Sequence, residues 1–136
     1  MSVEETRRVV RAYHEAYRRG QVGDAVAQLG EPFRFKSPMM AFDAIRQHAA
    51  ALERFVPLIT DIAMISELYG DGEATLIYNL HTSLPIGVQS NAEHFRVRDG
   101  RIVEILIIFD ATPWHPIIEA AARIRGPLEV APPEDA

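Results

Sequence analysis

The stretch NAEHFRVRDGRIVEILIIFD, residues 91–110, predicts two β-strands joined by a tight turn. Its Asp-Gly dipeptide, residues 99–100, readily adopts the positive φ angles of a two-residue hairpin, and β-favouring residues flank it on both sides. In the first strand, Glu93 and Phe95 point to the same, mostly apolar face. The second strand, IVEILIIF, is apolar on both faces apart from Glu104, which is typical of a central strand that is covered on each side.

The composition indicates one globular domain. The chain has 136 residues, of which 48% are hydrophobic and 24% charged, and this length can bury ~70% of the extended surface in a single core. A net charge of -5 gives no basic field for nucleic acid, and no apolar run is long enough to span a membrane. The absence of cysteine and of a secretory signal leads us to expect a cytoplasmic protein.

The predicted elements segregate into helices and hairpin-connected strands, which is the pattern of an α+β fold. Apolar residues at three- and four-residue steps predict a first helix that ends at Gly20. The other boundaries follow from capping, proline and glycine signals. In order, we predict helices over 3–19 and 24–29 (capped by Asp24), a strand over 33–37, a helix over 43–55, strands over 58–68, 74–84 and within 91–110, and a helix capped by Thr112. Residues 1–125 would form the domain, and the Pro-rich, acidic residues 126–136 a flexible tail.

Several segments together resemble the nuclear transport factor 2-like superfamily, which includes ketosteroid isomerases and SnoaL-like polyketide cyclases. They are VVRAYHEAY with GQVGDAVAQL, the strand ending at Ser37-Pro38, AEHFRVRDGRIVEI and IFDATPW. The resemblance covers roughly residues 5–120. It implies a cone-shaped fold in which a curved antiparallel sheet wraps a cavity that is closed by the N-terminal helices. It also implies that the cavity takes a small apolar or aromatic molecule.

The resemblance implies catalytic roles for Tyr13 and Glu93. Glu93 matches an Asp that donates a hydrogen bond to the substrate oxyanion in ketosteroid isomerases, and Tyr13 matches the tyrosine that partners that Asp. A buried carboxyl group must be protonated or hydrogen-bonded, so the pair could polarise a carbonyl. We therefore expect their oxygens ~2.5 to 3.0 Å apart and a pocket that prefers phenolate or enolate mimics. A rim carboxylate and a core tyrosine are the alternatives.

The usual general base is missing from the sequence. Ser37 stands where ketosteroid isomerases have their Asp, and Ile105 and Ile107 stand where SnoaL-like cyclases have His-x-Asp. Asp110 is the remaining acidic candidate, although ordering of the strand-to-helix corner is the alternative role. The function therefore stays open between an isomerase, cyclase or dehydratase and a non-catalytic ligand-binding or dimerisation module.

The other candidate site residues are apolar or aromatic side chains on inward faces. No histidine has metal-ligand spacing, so we expect neither a metal nor a cofactor. The apolar outer residues Ile102, Leu106 and Ile108 predict a homodimer through the outer sheet face. The predicted ligand-binding residues are Tyr17, Phe35, Ser37, Met40, Phe55, Leu76, Tyr78, Leu80, Phe95, Phe109 and Trp114, with Met39 and Phe42 added at the cavity mouth.

Overall fold

The computed structural model describes residues 2–125, and the predicted tail at 126–136 lies outside this range. Single turns of 3₁₀ helix follow the third helix, at Val56–Leu58, and precede the fourth, at Thr112–Trp114. The helices are α1 (Val3–Arg18), α2 (Val22–Val26), α3 (Ile45–Phe55) and α4 (His115–Arg125), and the strands are β1 (Leu29–Lys36), β2 (Ala41–Phe42), β3 (Ile59–Tyr69), β4 (Glu73–Thr82), β5 (Val88–Arg98) and β6 (Arg101–Ile108).

The six strands form one curved, unclosed sheet in the order β2-β1-β6-β5-β4-β3, which confirms the predicted α+β class. All neighbouring strands are antiparallel except β1 and β6, which run parallel. The antiparallel sheet that the resemblance implies is therefore present, with one parallel pair that was not predicted. A parallel pair needs a long connection, and α3 with the four strands β2 to β5 provides it here.

The predicted hairpin joins β5 to β6. Asp99 and Gly100 have φ angles of 52° and 74°, as a two-residue turn of this type requires. Arg98 pairs with Arg101 across the turn. The hairpin is therefore confirmed, with the register that its turn residues predict.

A β-bulge reverses one predicted orientation on β6. Val97 pairs with Ile102, whereas the preceding Arg96 pairs with Glu104, so Val103 is the extra residue. One extra residue moves the residues on one side of the bulge to the opposite face. Ile102 is consequently fully buried inside, and its predicted place on the outer face was wrong.

Helix α1 lies against the concave face of the sheet. The side chain of Ser2 caps it by accepting a hydrogen bond from the Glu5 N–H at 3.1 Å, and Gly20 follows its end with φ +76°. Val10 and Tyr13 on its apolar stripe are buried. Burial of such a stripe against the sheet is the main stabilisation of an amphipathic helix.

The segment after α1 corrects the predicted boundaries. Helix α2 begins two residues earlier than predicted, and Asp24 lies inside it instead of capping it. Leu29 belongs to β1, where it is buried opposite Ile102. A Cβ at Gly30 would lie 2.6 Å from the Cβ of Arg101, so glycine permits the close approach of β1 to β6.

The core fills the space between α1, α2, α3 and the concave face. The largest fully buried side chains are Tyr13, Tyr78, Phe33, Phe95, Leu76, Leu80, Ile102, Ile105, Val10 and Thr6.

No helix within residues 2–125 is both long and apolar enough to cross a membrane.

Candidate functional site

A pocket of about 140 Å³ opens between α1, α3 and the β5–β6 end of the sheet. Most of its wall is apolar, while a few polar side chains lie within it. Such an arrangement is typical of a site for a small apolar molecule with one or two polar groups. The lining residues are Tyr13, Tyr17, Phe35, Ser37, Met39, Met40, His48, Ala51, Leu52, Phe55, Gln89, Asn91, Glu93, Ile107, Phe109 and Trp114.

The predicted ligand-binding residues divide into two groups. Tyr17, Phe35, Ser37, Met40, Phe55, Phe109 and Trp114 line the pocket. Leu76, Tyr78, Leu80 and Phe95 are not among its lining residues and are buried in the core at no more than 1% exposure. Phe42 is also behind the wall, where its ring stacks on Phe35 at 5.6 Å. Alternation within the strands predicted the correct face but could not show where α1 covers it.

The hydroxyl of Tyr13 does not pair with Glu93, so that prediction was wrong. Tyr13 Oη instead shares a 2.8 Å hydrogen bond with His48 Nε2. Helix α3 brings His48 into an aromatic environment that includes Phe35, with ring centroids 4.5 Å apart. Both Tyr13 and His48 are almost fully buried, so each polar tip needs the other as a partner.

The Tyr13–His48 pair is uncharged at neutral pH. Burial lowers the pKa of His48 to about 4, although the nearby charge of Glu93 acts in the opposite direction. Burial, with a further contribution from Glu93, raises the pKa of Tyr13 well above its ordinary value. His48 Nδ1 is buried without a hydrogen bond to any of residues 2–125.

Glu93 is 4% exposed and interacts through one oxygen with two side chains. Tyr78 Oη donates a 2.7 Å hydrogen bond to Glu93 Oε1, and burial raises the pKa of Tyr78 well above its ordinary value. His14 Nε2 lies 3.3 Å from the same oxygen. This is ion-pair distance, but the contact is poorly directed and His14 Nε2 makes no hydrogen bond within residues 2–125. Tyr78 is therefore the main partner of Glu93.

A chain of hydrogen bonds runs from the pocket mouth to Glu93. Trp114 Nε1 donates to Gln89 Oε1 at 2.6 Å, and Gln89 Nε2 donates to Asn91 Oδ1 at 2.8 Å. Asn91 Nδ2 donates to Tyr78 Oη at 3.3 Å. Gln89, Asn91 and Glu93 alternate along β5 and so share its inner face.

Four polar residues of this site were not predicted from the sequence, namely His14, His48, Gln89 and Asn91. The signals were present for all of them. Gln89 and Asn91 lie four and two residues before Glu93, on the face already assigned to the cavity. Histidines 14 and 48 fall at three- and four-residue steps on the buried stripes of α1 and α3.

Two other predicted polar residues have structural contacts. Ser37 Oγ accepts hydrogen bonds from the N–H groups of Met39 and Met40, both at 3.1 Å, so it orders the turn at the pocket wall. Asp110 is exposed and is not among the lining residues. Its Oδ1 accepts a 3.0 Å hydrogen bond from the Thr112 N–H, which lowers the Asp110 pKa.

The geometry corrects the predicted catalytic role of Asp110 and the predicted cap at Thr112. Asp110 itself supplies the side-chain contact at the strand-to-helix corner, which was the alternative role predicted for it.

The residues over 2–125 contain no cluster of three or more His, Cys, Asp or Glu side chains that could hold a metal ion.

Solved structures resemble this chain over most of its length. A protein from Kribbella flavida is 28% identical, with 85% of this chain and 94% of that chain covered and a TM-score of 0.76. A nuclear transport factor 2-like protein from Cytophaga hutchinsonii is 18% identical, with 80% and 93% covered and a TM-score of 0.70. A proposed ketosteroid isomerase from Kribbella flavida is 18% identical, with 79% and 78% covered and a TM-score of 0.65. The sequence matches no family model and no curated protein.

Proposed function

We propose that this chain, whose fold is that of the nuclear transport factor 2-like superfamily, binds a compact aromatic or apolar molecule in the pocket. The observation that carries this proposal is the carboxyl group of Glu93 within a mostly apolar wall. The pocket measures about 140 Å³, and a dry cavity of ~150 Å³ is large enough for benzene. One ring with one polar substituent therefore matches both its size and its chemistry.

A second candidate function is proton transfer within the bound molecule, as isomerases perform it. Glu93 and His48 both line the pocket, and a carboxylate such as Glu93 can act as a proton acceptor, whereas burial lowers the pKa of His48 to about 4 and disfavours its protonation. Tyr13 could hold a ligand oxygen through its hydroxyl group. Because Ser37 and Ile107 occupy the usual base positions, Glu93 is our candidate base. One fold-level neighbour is described as a proposed ketosteroid isomerase, which supports this class by analogy.

The ligand proposal predicts that Glu93→Gln weakens the binding of phenol about tenfold, because the hydroxyl of phenol loses a charged hydrogen-bond partner. Isothermal titration calorimetry at pH 7 measures this affinity. His94→Ala is the matched control, since His94 lies next to Glu93 on β5 but contacts Thr75 Oγ1 at 2.8 Å on the outer face. Equal affinity in wild type and Glu93→Gln would rule out Glu93 as the polar contact.

If proton transfer also occurs, the loss of the base should lower the rate ~10²- to 10⁴-fold. Catalysis and binding are therefore separable in Glu93→Gln, because the expected loss of rate exceeds the expected tenfold loss of phenol affinity by one order of magnitude or more. A Glu93→Gln protein whose turnover of a ring-sized ketone equals that of wild type would leave only the binding function.

As a second partner we propose another copy of this protein, in a homodimer through the outer face of the sheet. Ile77, Ala92 and Ile108 lie side by side across β4, β5 and β6, with Leu106 in the adjacent row on β6. Ile77 and Ile108 are 39% and 58% exposed. A central apolar row of this kind is characteristic of surfaces that are covered by another molecule, and the self-complementary partner is a second copy.

The dimer proposal predicts that Ile108→Asp converts a dimer into a monomer. A carboxylate in the centre of an apolar interface would be desolvated without a partner. Sedimentation equilibrium at micromolar concentration measures the mass of each variant. Val3→Asp is the matched control, because Val3 is also exposed but lies at the start of α1. A monomeric wild-type protein at this concentration would contradict the proposal.

A further inference from the structure

We infer that Trp114, Gln89, Asn91 and Tyr78 form a one-directional chain of hydrogen bonds that fixes Glu93 as an acceptor, so that the pocket selects a neutral ligand carrying a donor group. An un-ionised phenol is the simplest example. This inference rests on the proposed binding function and specifies the ligand class. It also assigns positioning roles to these four residues, of which Trp114 is separated from Glu93 by the largest number of hydrogen bonds.

The indole of Trp114 sets the direction of the whole chain. An indole N–H can donate a hydrogen bond but has no acceptor atom. The group of Gln89 that lies 2.6 Å from Trp114 Nε1 must therefore be the amide oxygen. This choice directs the amide NH₂ of Gln89 toward Asn91, because one end of a primary amide accepts and the other donates.

The direction of donation continues from Gln89 to Glu93. Asn91 must present its oxygen to Gln89, so its NH₂ group faces the hydroxyl oxygen of Tyr78. Tyr78 then accepts from Asn91, and its own proton points to Glu93 Oε1 at 2.7 Å. Amide orientations are normally chosen from the surrounding network, and here one donor-only group determines all of them. The burial that raises the Tyr78 pKa keeps this proton on the phenol.

The end of the chain determines what a ligand must offer. Tyr78 donates its proton to Glu93 Oε1, so the carboxylate takes part in this network as an acceptor, and hydrogen bonds in a series strengthen one another. Tyr78 and His14 both approach Oε1, so Oε2 is the oxygen left for a molecule in the pocket. A ligand hydroxyl satisfies Oε2, whereas a phenolate would bring a second negative charge into an apolar enclosure. This preference is the reverse of the one that the sequence suggested.

The protonation state of bound 4-nitrophenol tests the inference, because the phenol and the phenolate absorb at different wavelengths. At a pH where both forms are present, addition of the wild-type protein should reduce the phenolate band. The neutral form should bind about tenfold more tightly than the ionised form, so the apparent affinity should fall as the pH rises. Phenol itself, which is neutral at pH 7, provides the separate measure of pocket binding.

Variants along the chain separate direction from simple packing. Tyr78→Phe removes the last donor and should lower the selectivity for the neutral form about tenfold. Trp114→Phe keeps an aromatic ring at the mouth but removes the N–H that sets the direction, and should lower the selectivity two- to threefold, a rough figure for a cooperative effect. Ser90→Ala is the control, because Ser90 lies on β5 and donates to Asn79 Oδ1 on the opposite face.

The outcomes distinguish the two proposals. Tighter binding of the phenolate than of the phenol by the wild-type protein overturns the inference but leaves the binding function intact. Unchanged selectivity in both Tyr78→Phe and Trp114→Phe, with wild-type circular dichroism, overturns the role of the chain. Failure of wild-type protein to bind phenol overturns the proposed function and the inference together.

Discussion

Replacing Phe95 by alanine is expected to lower the free energy of unfolding by about 4 kcal/mol. Phe95 is fully buried on β5, and its ring contacts that of Tyr13 edge-on at 5.8 Å between centroids. The substitution would remove the apolar surface that joins α1 to the sheet and leave a cavity that rigid strands cannot close. Urea denaturation followed by circular dichroism measures the change.

Arg96→Ala is the matched control for this prediction. Arg96 is the next residue of β5, but it points outward and its side chain is 57% exposed. Its only described ionic contact, with Glu104 at 3.7 Å, is a surface contact of the kind that is worth little. We expect a change within ~0.5 kcal/mol. Similar losses in both variants would show that alternation along β5 does not determine the core.

Stability should fall in acid because of His48. Its pKa is about 4 in the folded protein and ~6.5 in an unfolded chain, so the unfolded state binds the proton first. The contribution is complete above pH 6.5 and is lost progressively as the pH falls through 4. A difference of this size corresponds to about 3 kcal/mol. Chemical denaturation at a series of pH values between 7 and 4 measures it.

His48→Gln separates this effect from the titration of carboxylates. Glutamine can still form a hydrogen bond with Tyr13 Oη but does not gain a proton in this range. The variant should therefore be less stable than wild type at pH 7 and lose less stability on acidification. Parallel curves of stability against pH for the two proteins would mean that burial does not exclude the proton from His48.

Local sequence signals predicted the elements around which the fold is built. The Asp99-Gly100 turn fixed the β5–β6 hairpin because few other residues adopt two positive φ angles in succession. The three- and four-residue steps of α1 correctly gave its buried stripe. Alternation placed Glu93 and Phe95 on the inner face, where both are buried. The resemblance to the nuclear transport factor 2-like superfamily is confirmed at the level of the fold.

The predictions that were wrong concern contacts between different helices and strands. The Val103 bulge changes the register of β6 and turns Ile102 inward, and no residue type in that strand requires it. The partner of Tyr13 is His48, because α3 brings the imidazole within 2.8 Å of the Tyr13 hydroxyl, and this contact between separate helices cannot be found from local sequence patterns. The parallel pairing of β1 with β6 likewise joins segments that are far apart in the chain. The ligand and the homodimer stay predictions.

A crystal structure of the protein grown with phenol tests the central claim most directly. We predict that the ring lies between Phe55, Trp114 and Phe35, with its oxygen ~2.5 to 3.0 Å from Glu93 Oε2. The chain from Trp114 to Tyr78 should be unchanged. A phenol molecule bound instead in the polar groove between α1 and β3, against Arg11 and Arg18, with the pocket near Glu93 empty, would contradict the account.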